Sequence, residues 1–354
     1  MTPTHSIAFQ VHEEDLDDVR DEAIATLVET RSIDIPQARY DWLYRDNPDG
    51  PAVLWSIREE ATGEMAGFSM ALPRRVLVDG RRCVCWNGGD LSVRPQFRRQ
   101  GAATQLRVAA MQGVDAGRVD FFYNHPNAQS QPVYEKAGYF LIGTMVRYAK
   151  PLKTEEYIRR RLGGRLLAAG AGKITDSVLM LSSRERRHRT HCSTRVIQSP
   201  RFDQRFDALF AAAATGRRIV GVRDARYLDW RYTRNPLYKT QAILAEQRGE
   251  LAGYVLFSVD DAVVHVRDLF TSADSPAGDD LVVALIDHAR RMGKRGISAI
   301  VLEDNPLERS LIRFGFRRRE DSSQMTGYAP AERELRPMIA DQLSWFLTVG
   351  DRDV

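Results

Sequence analysis

Cysteine is scarce in this chain: Cys83, Cys85 and Cys192 are the only three among 354 residues. Three thiols cannot build a disulfide framework, and their rarity suits a reducing compartment. Long apolar runs are missing as well, since no stretch reaches the roughly 18 uncharged apolar residues of a spanning helix. The opening MTPTHSIAFQVHEEDLDD lacks the basic-then-apolar order of a secretory signal. A cytoplasmic location follows, with at most peripheral contact at the inner membrane face. A large charge excess is also absent, with 51 basic against 47 acidic side chains, or +4. That imbalance is local: residues 150–189 hold eleven Lys or Arg and four acids, so the rest of the chain is slightly acidic. No nucleic-acid partner is expected of such a surface. What remains is ordinary globular composition, 43% hydrophobic and 9% aromatic, at a length that suits two domains.

The chain resembles itself. Trp42-x-Tyr44-x-x-Asn47-Pro48 recurs as Trp230-x-Tyr232-x-x-Asn235-Pro236. In the same order, residues 61–70 parallel 247–256, GDLSV (89–93) parallels RDLFT (267–271), and YEKAGY (134–139) parallels LIRFGF (311–316). Asp90 lies 48 residues before Gly138, and Asp268 lies 47 before Gly315. Two copies of one α/β (α+β) unit are therefore predicted. Residues 1–150 form the first, 151–200 a basic linker and 201–354 the second. In the first copy, 13–29 has helical period and the strands VLWSIRE, MAGFSMAL, RRVLV and CVCWNGGDLSV follow. A helix over 102–117, the strand VDFFYN and a short helix over 128–137 come next, and YFLIGTMVRYAK closes the unit. The Trp motif occurs in both copies, so it reads as architecture, a helix end with Asn-Pro as a turn.

The segment Arg98-Arg99-Gln100-Gly101-Ala102-Ala103-Thr104 joins a strand to a helix. Small residues let a ligand approach the backbone. The N–H groups of a helix N-terminus suit a pyrophosphate, and Arg98 and Arg99 add positive charge. Downstream stands Asn127-x-x-Ser130-x-x-Val133-Tyr134-x-Lys136-x-Gly138-Tyr139. Together these segments resemble the GCN5-related N-acetyltransferase (GNAT) superfamily, over roughly residues 5–150. The resemblance implies two tandem domains, each a mixed, mainly antiparallel sheet flanked by helices. It implies acyl-coenzyme A as co-substrate, with its pyrophosphate on the Arg98–Thr104 loop and its pantetheine arm along Leu91, Ser92 and Val93. Asn127, with Ser130 beside it, stands where the family contacts the cofactor. Tyr134 stands where the family commonly protonates the departing thiolate. The plain reading of Tyr134 is an aromatic packed on a short amphipathic helix.

The second copy departs from this pattern. Ser275-Pro276-Ala277-Gly278-Asp279-Asp280 replaces the arginine loop, and Leu311 stands at the tyrosine position. Carboxylates at a helix N-terminus would repel a pyrophosphate. No coenzyme A site is expected there.

Two residues compete as general base. Asp90 lies on the strand entering the loop, but Asp268 matches it in the copy without a site. His125 follows the next strand and has a suitable pKa. Cys83-x-Cys85 has no second pair, and His188-x-x-His191-Cys192 has no evident fourth ligand, so no metal is expected. In the linker, Ile158, Leu162 and Leu166 form a helical stripe among Arg159, Arg160, Arg161 and Arg165. Residues 157–189 are thus a candidate contact with anionic membrane. The acceptor amine is either a lipid amine such as a sphingoid base, since some bacterial ceramide synthases belong to the superfamily, or an amino sugar or other small polar amine. A non-catalytic acyl-coenzyme A sensor is the rival reading. Oligomeric state and acyl-chain length are not legible.

Overall fold

A computed structural model of the chain describes residues 7–153, 184–272 and 275–353. The first unit runs β1 (Phe9–Glu14), α1 (Arg20–Thr30), α2 (Pro36–Tyr40), β2 (Val53–Glu59), β3 (Met65–Val78), β4 (Arg81–Val93), α3 (Ala102–Asp115), β5 (Phe121–Asn124), α4 (Gln131–Ala137) and β6 (Phe140–Pro151). The second repeats the plan with β7 (Ser193–Ile197), α5 (Gln204–Ala214), β8 (Ile219–Gly221), α6 (Ala225–Leu228), β9 (Gln241–Gln247), β10 (Glu250–Val259), β11 (Val263–Thr271), α7 (Ala277–Arg291), β12 (Gly296–Leu302), α8 (Leu307–Arg313) and β13 (Arg317–Tyr328).

Two expectations change. Helix was expected from residue 13, but Glu13 and Glu14 end a strand paired with β2. Their carboxylates serve Arg118 and Arg58 across the surface. MAGFSMAL and RRVLV form one strand, β3, because Pro73 and Arg74 stay in register with Trp86 and Cys85 of β4.

The larger correction concerns how each unit closes. The strand order is β1-β2-β3-β4-β5-β13-β6-β12-β11-β10-β9-β7, one continuous sheet. β6 does not return to β5. It pairs antiparallel with β12, from Gly296↔Pro151 to Leu302↔Met145. β13 pairs with β5 through Thr326↔Asn124, Gly327↔Tyr123 and Tyr328↔Phe122, and with β6 on its other side. Each half thus gives its last strand to the other, and a division at residue 150 is one of sequence, not of sheet.

The repeated Trp motif joins the two halves a second time. Trp42 and Trp230 lie in π-helical turns, Asp41–Arg45 and Asp229–Thr233. Each indole Nε1–H donates to the main-chain carbonyl of the other tryptophan, both at 2.8 Å. The rings stack at 5.4 Å with 28° between planes, and both are buried. Such reciprocity is the mark of a two-fold contact, here between repeats. Asn47 and Asn235 each accept a main-chain N–H two residues on, at 3.0 and 2.8 Å, forming the expected turns.

Around the first unit's cleft, Ala102, Leu106, Ala110 and Val114 form the buried i, i+4 stripe of α3. They pack with Trp55, Trp86, Phe122, Tyr134 and Tyr139. Of the basic linker, Ile158, Leu162, Leu166 and Arg159 to Arg161 and Arg165 lie outside the described residues, as do all of 154–183. Its end is docked on the body: Glu185 is buried and pairs with Lys150 at 3.3 Å and Arg290 at 2.7 Å. No helix among the described residues is long and apolar enough to cross a membrane.

The reciprocal tryptophans generate a prediction. Trp42→Ala should destabilise the protein by about 3–5 kcal/mol in chemical denaturation. Because each residue completes the other's contact, Trp42→Ala/Trp230→Ala should cost less than the sum of the single changes. Additive losses would show the two sites to be independent.

Candidate active site

β4 and β5 run parallel from Cys85↔Phe121 to Gly88↔Asn124 and then part. Beyond the fork, β4 continues to Val93 with β3 on one side and open space on the other. A cleft of about 760 Å³ occupies this fork. It is lined by Leu91, Ser92 and Val93, by Arg98, Arg99, Gly101, Ala102, Ala103 and Thr104, and by His125, Asn127, Ser130 and Tyr134. Gln100 is in the same loop, exposed, with its amide turned back to the carbonyl of Gln96 at 3.0 Å. The structure therefore brings together all the residues that the sequence singled out, with Gln100 at the margin.

The loop is shaped for a ligand of negative charge. Gly101 is the N-cap of α3 at φ +90°, a conformation that L side chains avoid, and no side chain caps the helix. Arg99 also has positive φ, 62°. Orphan first-turn N–H groups of a helix are an anion site. Arg98 folds back so that its Nε donates to the Val93 carbonyl at 2.9 Å. Asn127 is an acceptor within its own turn, taking the N–H groups of Gln129 and Ser130 at 3.0 and 2.9 Å.

Asp90 lies at a bulge where β4 slips register against β3 between Phe68 and Met70. Its carboxylate accepts from Arg31 at 2.6 Å, Arg39 at 2.6 Å and Tyr44 at 2.7 Å. Burial alone would raise its pKa, but Arg39, Arg31 and the Tyr44 hydroxyl outweigh it and hold it below the usual carboxylate range. A carboxylate so held is a poor proton acceptor, which corrects the expectation of Asp90 as base. Asp268, its counterpart in the second unit, is likewise held by an arginine and a tyrosine, though from other places in the fold: Arg223 and Tyr254 donate to it at 3.0 Å each.

His125 differs in kind. Neither ring nitrogen has a partner, and both are buried. Burial, with Arg352 nearby, pushes its pKa well below the usual histidine value, so the imidazole is neutral at pH 7. Tyr134 is also buried, at 4% exposure, and burial pushes its phenol up while Arg107 pulls it back. Arg107 Nη1 donates to the Tyr134 oxygen at 3.3 Å, which leaves the phenolic proton free to point elsewhere. Arg107 is fully buried on α3, and its Nε and Nη2 lack partners. The sequence carried one signal of it, a charge beside the apolar stripe of the helix.

Arg352 and Asp353, at the far end of the chain, also line the cleft. Asn87 and Tyr123 donate to the Asp351 carbonyl at 3.2 and 2.8 Å, and Arg74 and Arg223 hold its carboxylate. Nothing in the sequence pattern pointed to these residues.

A family model described as the acetyltransferase (GNAT) family matches residues 16–139. That match assigns residues 16–139, most of the first unit, to the GNAT family. No curated protein matches the chain. Among solved structures, a probable N-acyltransferase from Enterococcus faecalis is 12% identical with TM-score 0.63, covering 91% of this chain and 73% of that one. A GCN5-related N-acetyltransferase from Anabaena variabilis is 14% identical with TM-score 0.64, covering 90% and 72%. N-myristoyltransferase from Saccharomyces cerevisiae, solved with bound myristoyl-CoA, is 13% identical with TM-score 0.57, covering 94% and 81%. At such identities the likeness is one of fold, and it spans both units of this chain.

The second unit of the chain has its fork filled. β11 and β12 pair only from Val263↔Gly296 to His265↔Ser298. Beyond, Thr348 bridges to Val301, and Arg217 donates to the Thr271 carbonyl at 2.9 Å. The space left is about 10 Å³, room for roughly one water. Asp280 in the first turns of α7 is taken by His188 at 2.6 Å and by the N–H groups of His191 and Cys192 at 2.9 and 2.7 Å. This accounts for the His188–Cys192 cluster. Among the described residues no group of side chains has the makings of a metal site.

Asp90→Asn should lower stability by about 3–5 kcal/mol, because it leaves the buried Arg39 charge uncompensated. With a folded pKa depressed, the wild-type contribution is present above the usual carboxylate range and is lost as pH falls through it. Denaturant midpoints at pH 7 and pH 3 check this: the wild-type advantage over the variant should shrink at the lower pH.

Proposed function

We propose that the protein transfers an acyl group from acyl-coenzyme A to the amine of a small polar acceptor, by direct attack, in the first unit's cleft alone. The observation that carries this reading is the single 760 Å³ cleft, which joins the Arg98–Thr104 loop to both Tyr134 and His125. The 98–104 loop takes the pyrophosphate, and the unpaired edge of β4 at Leu91–Val93 takes the pantetheine arm. Main-chain N–H groups at the Asp90–Leu91 bulge polarise the thioester carbonyl. His125, neutral and without a partner, accepts the proton of the attacking amine. The C–N bond forms, the C–S bond breaks, and Tyr134 gives its proton to the thiolate. Arg107, donating to the Tyr134 oxygen, turns that proton outward and steadies the phenolate until it is reprotonated.

A polar acceptor is favoured over a lipid amine by what lies past the thioester. Gly88, Gly89, His125, Arg352 and Asp353 line that end of the cleft, not an apolar wall. A catalytic reading is favoured over a sensor because a sensor has no use for a partnerless imidazole beside the acceptor path.

Coenzyme A should bind with one equivalent per chain in calorimetric titration. Gly101→Glu should abolish binding, since Gly101 has positive φ and open space around it, where a carboxylate would meet the pyrophosphate. Two equivalents, or undiminished binding in the variant, would overturn the assignment. Tyr134→Phe should lower kcat about 10²-fold with cofactor affinity retained. His125→Gln should lower kcat and remove the acid limb of the pH–rate profile. In the wild type that limb lies below pH 6.5, because burial depresses the folded pKa and the neutral base persists to lower pH.

A further inference from the structure

We infer that Arg352 is an anchor for an anionic group on the acceptor, so that the acceptor is an amine carrying a carboxylate or phosphate. The inference rests on the proposed acyl-transfer cleft and names its substrate class.

Arg352 lines the cleft beside His125, close enough to depress the imidazole's pKa. Its Nε is buried and has no partner. The other charges at this end of the cleft are matched. Arg31 and Arg39 share Asp90. Asp353 faces Arg39 and Arg231. Arg352 alone among them makes no ion pair within the described residues. A guanidinium is a fork of donors matched to carboxylate and phosphate oxygens.

Its position is also set in advance. Arg231 donates to the Arg352 and Asp353 carbonyls at 2.9 and 2.8 Å, and Asp351 is clamped by two arginines. Fixing the backbone cuts the ordering cost of binding. A Cβ placed on Gly89 would come within 3.1 Å of the Asp353 Cβ, so the tail lies directly on β4 at this point.

The coenzyme's own phosphates are not the partner. Arg352 neighbours His125, which follows Asn124, the residue paired with Gly88. From Gly88 to Val93, where the phosphate loop begins, the strand advances roughly 16 Å. An acceptor with its anion on Arg352 presents its amine to His125.

The test pairs each anionic amine with its neutral counterpart: glucosamine 6-phosphate with glucosamine for phosphate, and β-alanine with its amide for carboxylate. Full-length protein loaded with coenzyme A is titrated calorimetrically, and turnover is followed by thiol release from acetyl-coenzyme A. At least one anionic member should bind more tightly than its partner by roughly 10- to 100-fold, and the arm that shows it identifies the group. Arg352→Gln should erase that preference, Arg352→Lys should restore part of it, and Arg352→Glu should reverse it. An unchanged melting temperature in the variants keeps the comparison free of folding effects. Equal binding within both pairs, or a preference that survives Arg352→Gln and Arg352→Glu, overturns the inference. Discrimination in binding with no thiol release would leave the anchor standing and sink the acyl-transfer reading instead.

Discussion

β13 lies between β5 and β6, and the place of the strand that leads into His125 follows from it. The main-chain bonds of β13 to Phe122, Tyr123 and Asn124 fix the strand that leads into His125. Asn124 in turn accepts the Thr326 hydroxyl of β13 at 2.9 Å, below the fork. The fork between β4 and β5 is therefore braced by the other half of the chain. The reciprocal tryptophans are a second bond between the halves. With α2 and its π-turn placed by Trp42, Arg39 and Tyr44 reach Asp90 and keep the β4 bulge in shape.

The two halves share a plan and differ in what fills the fork. In the first, glycine and alanine open a helix with uncapped N–H groups. In the second, the chain covers its own helix start through Asp280 and closes the gap with residues 347–349. The aspartate cluster is common to both, which marks it as structure. Tyr134 and His125 have no equivalents in the second half, where Leu311 and Leu302 stand at their positions, and this sets apart the two residues to which proton transfer is assigned in the proposal. The tail then passes from the filled fork to the open one and ends its described course against Gly89.

Much of this was legible in the residues. The repeated Trp-x-Tyr-x-x-Asn-Pro pointed to two related units, the Arg98–Ala103 loop and the Tyr134 segment are the ones that meet in the first unit's cleft, and periodicity placed α3 within two residues. The strand exchange was not legible. β6 and β13 both read as closing strands, and alternation says which face a strand buries, not which neighbour it joins. Asp90 read as a base because its partners, Arg31, Arg39 and Tyr44, lie 46 to 59 positions away in an unrelated segment. Arg352 carried no signal, since its meaning arises only from where the tail lands. Arg107 was visible and passed over, a charge on a helix face that otherwise packs.

The exchange of strands has a consequence for how the protein comes into being. Residues of the cofactor loop leave the ribosome early, long before 317–328. Until that later segment arrives, β5 and β6 have no partner between them, and the first half exposes two open strand edges. The tail that completes the acceptor end comes later still. The first half is thus the first to be synthesised and the last to gain its full set of strand neighbours.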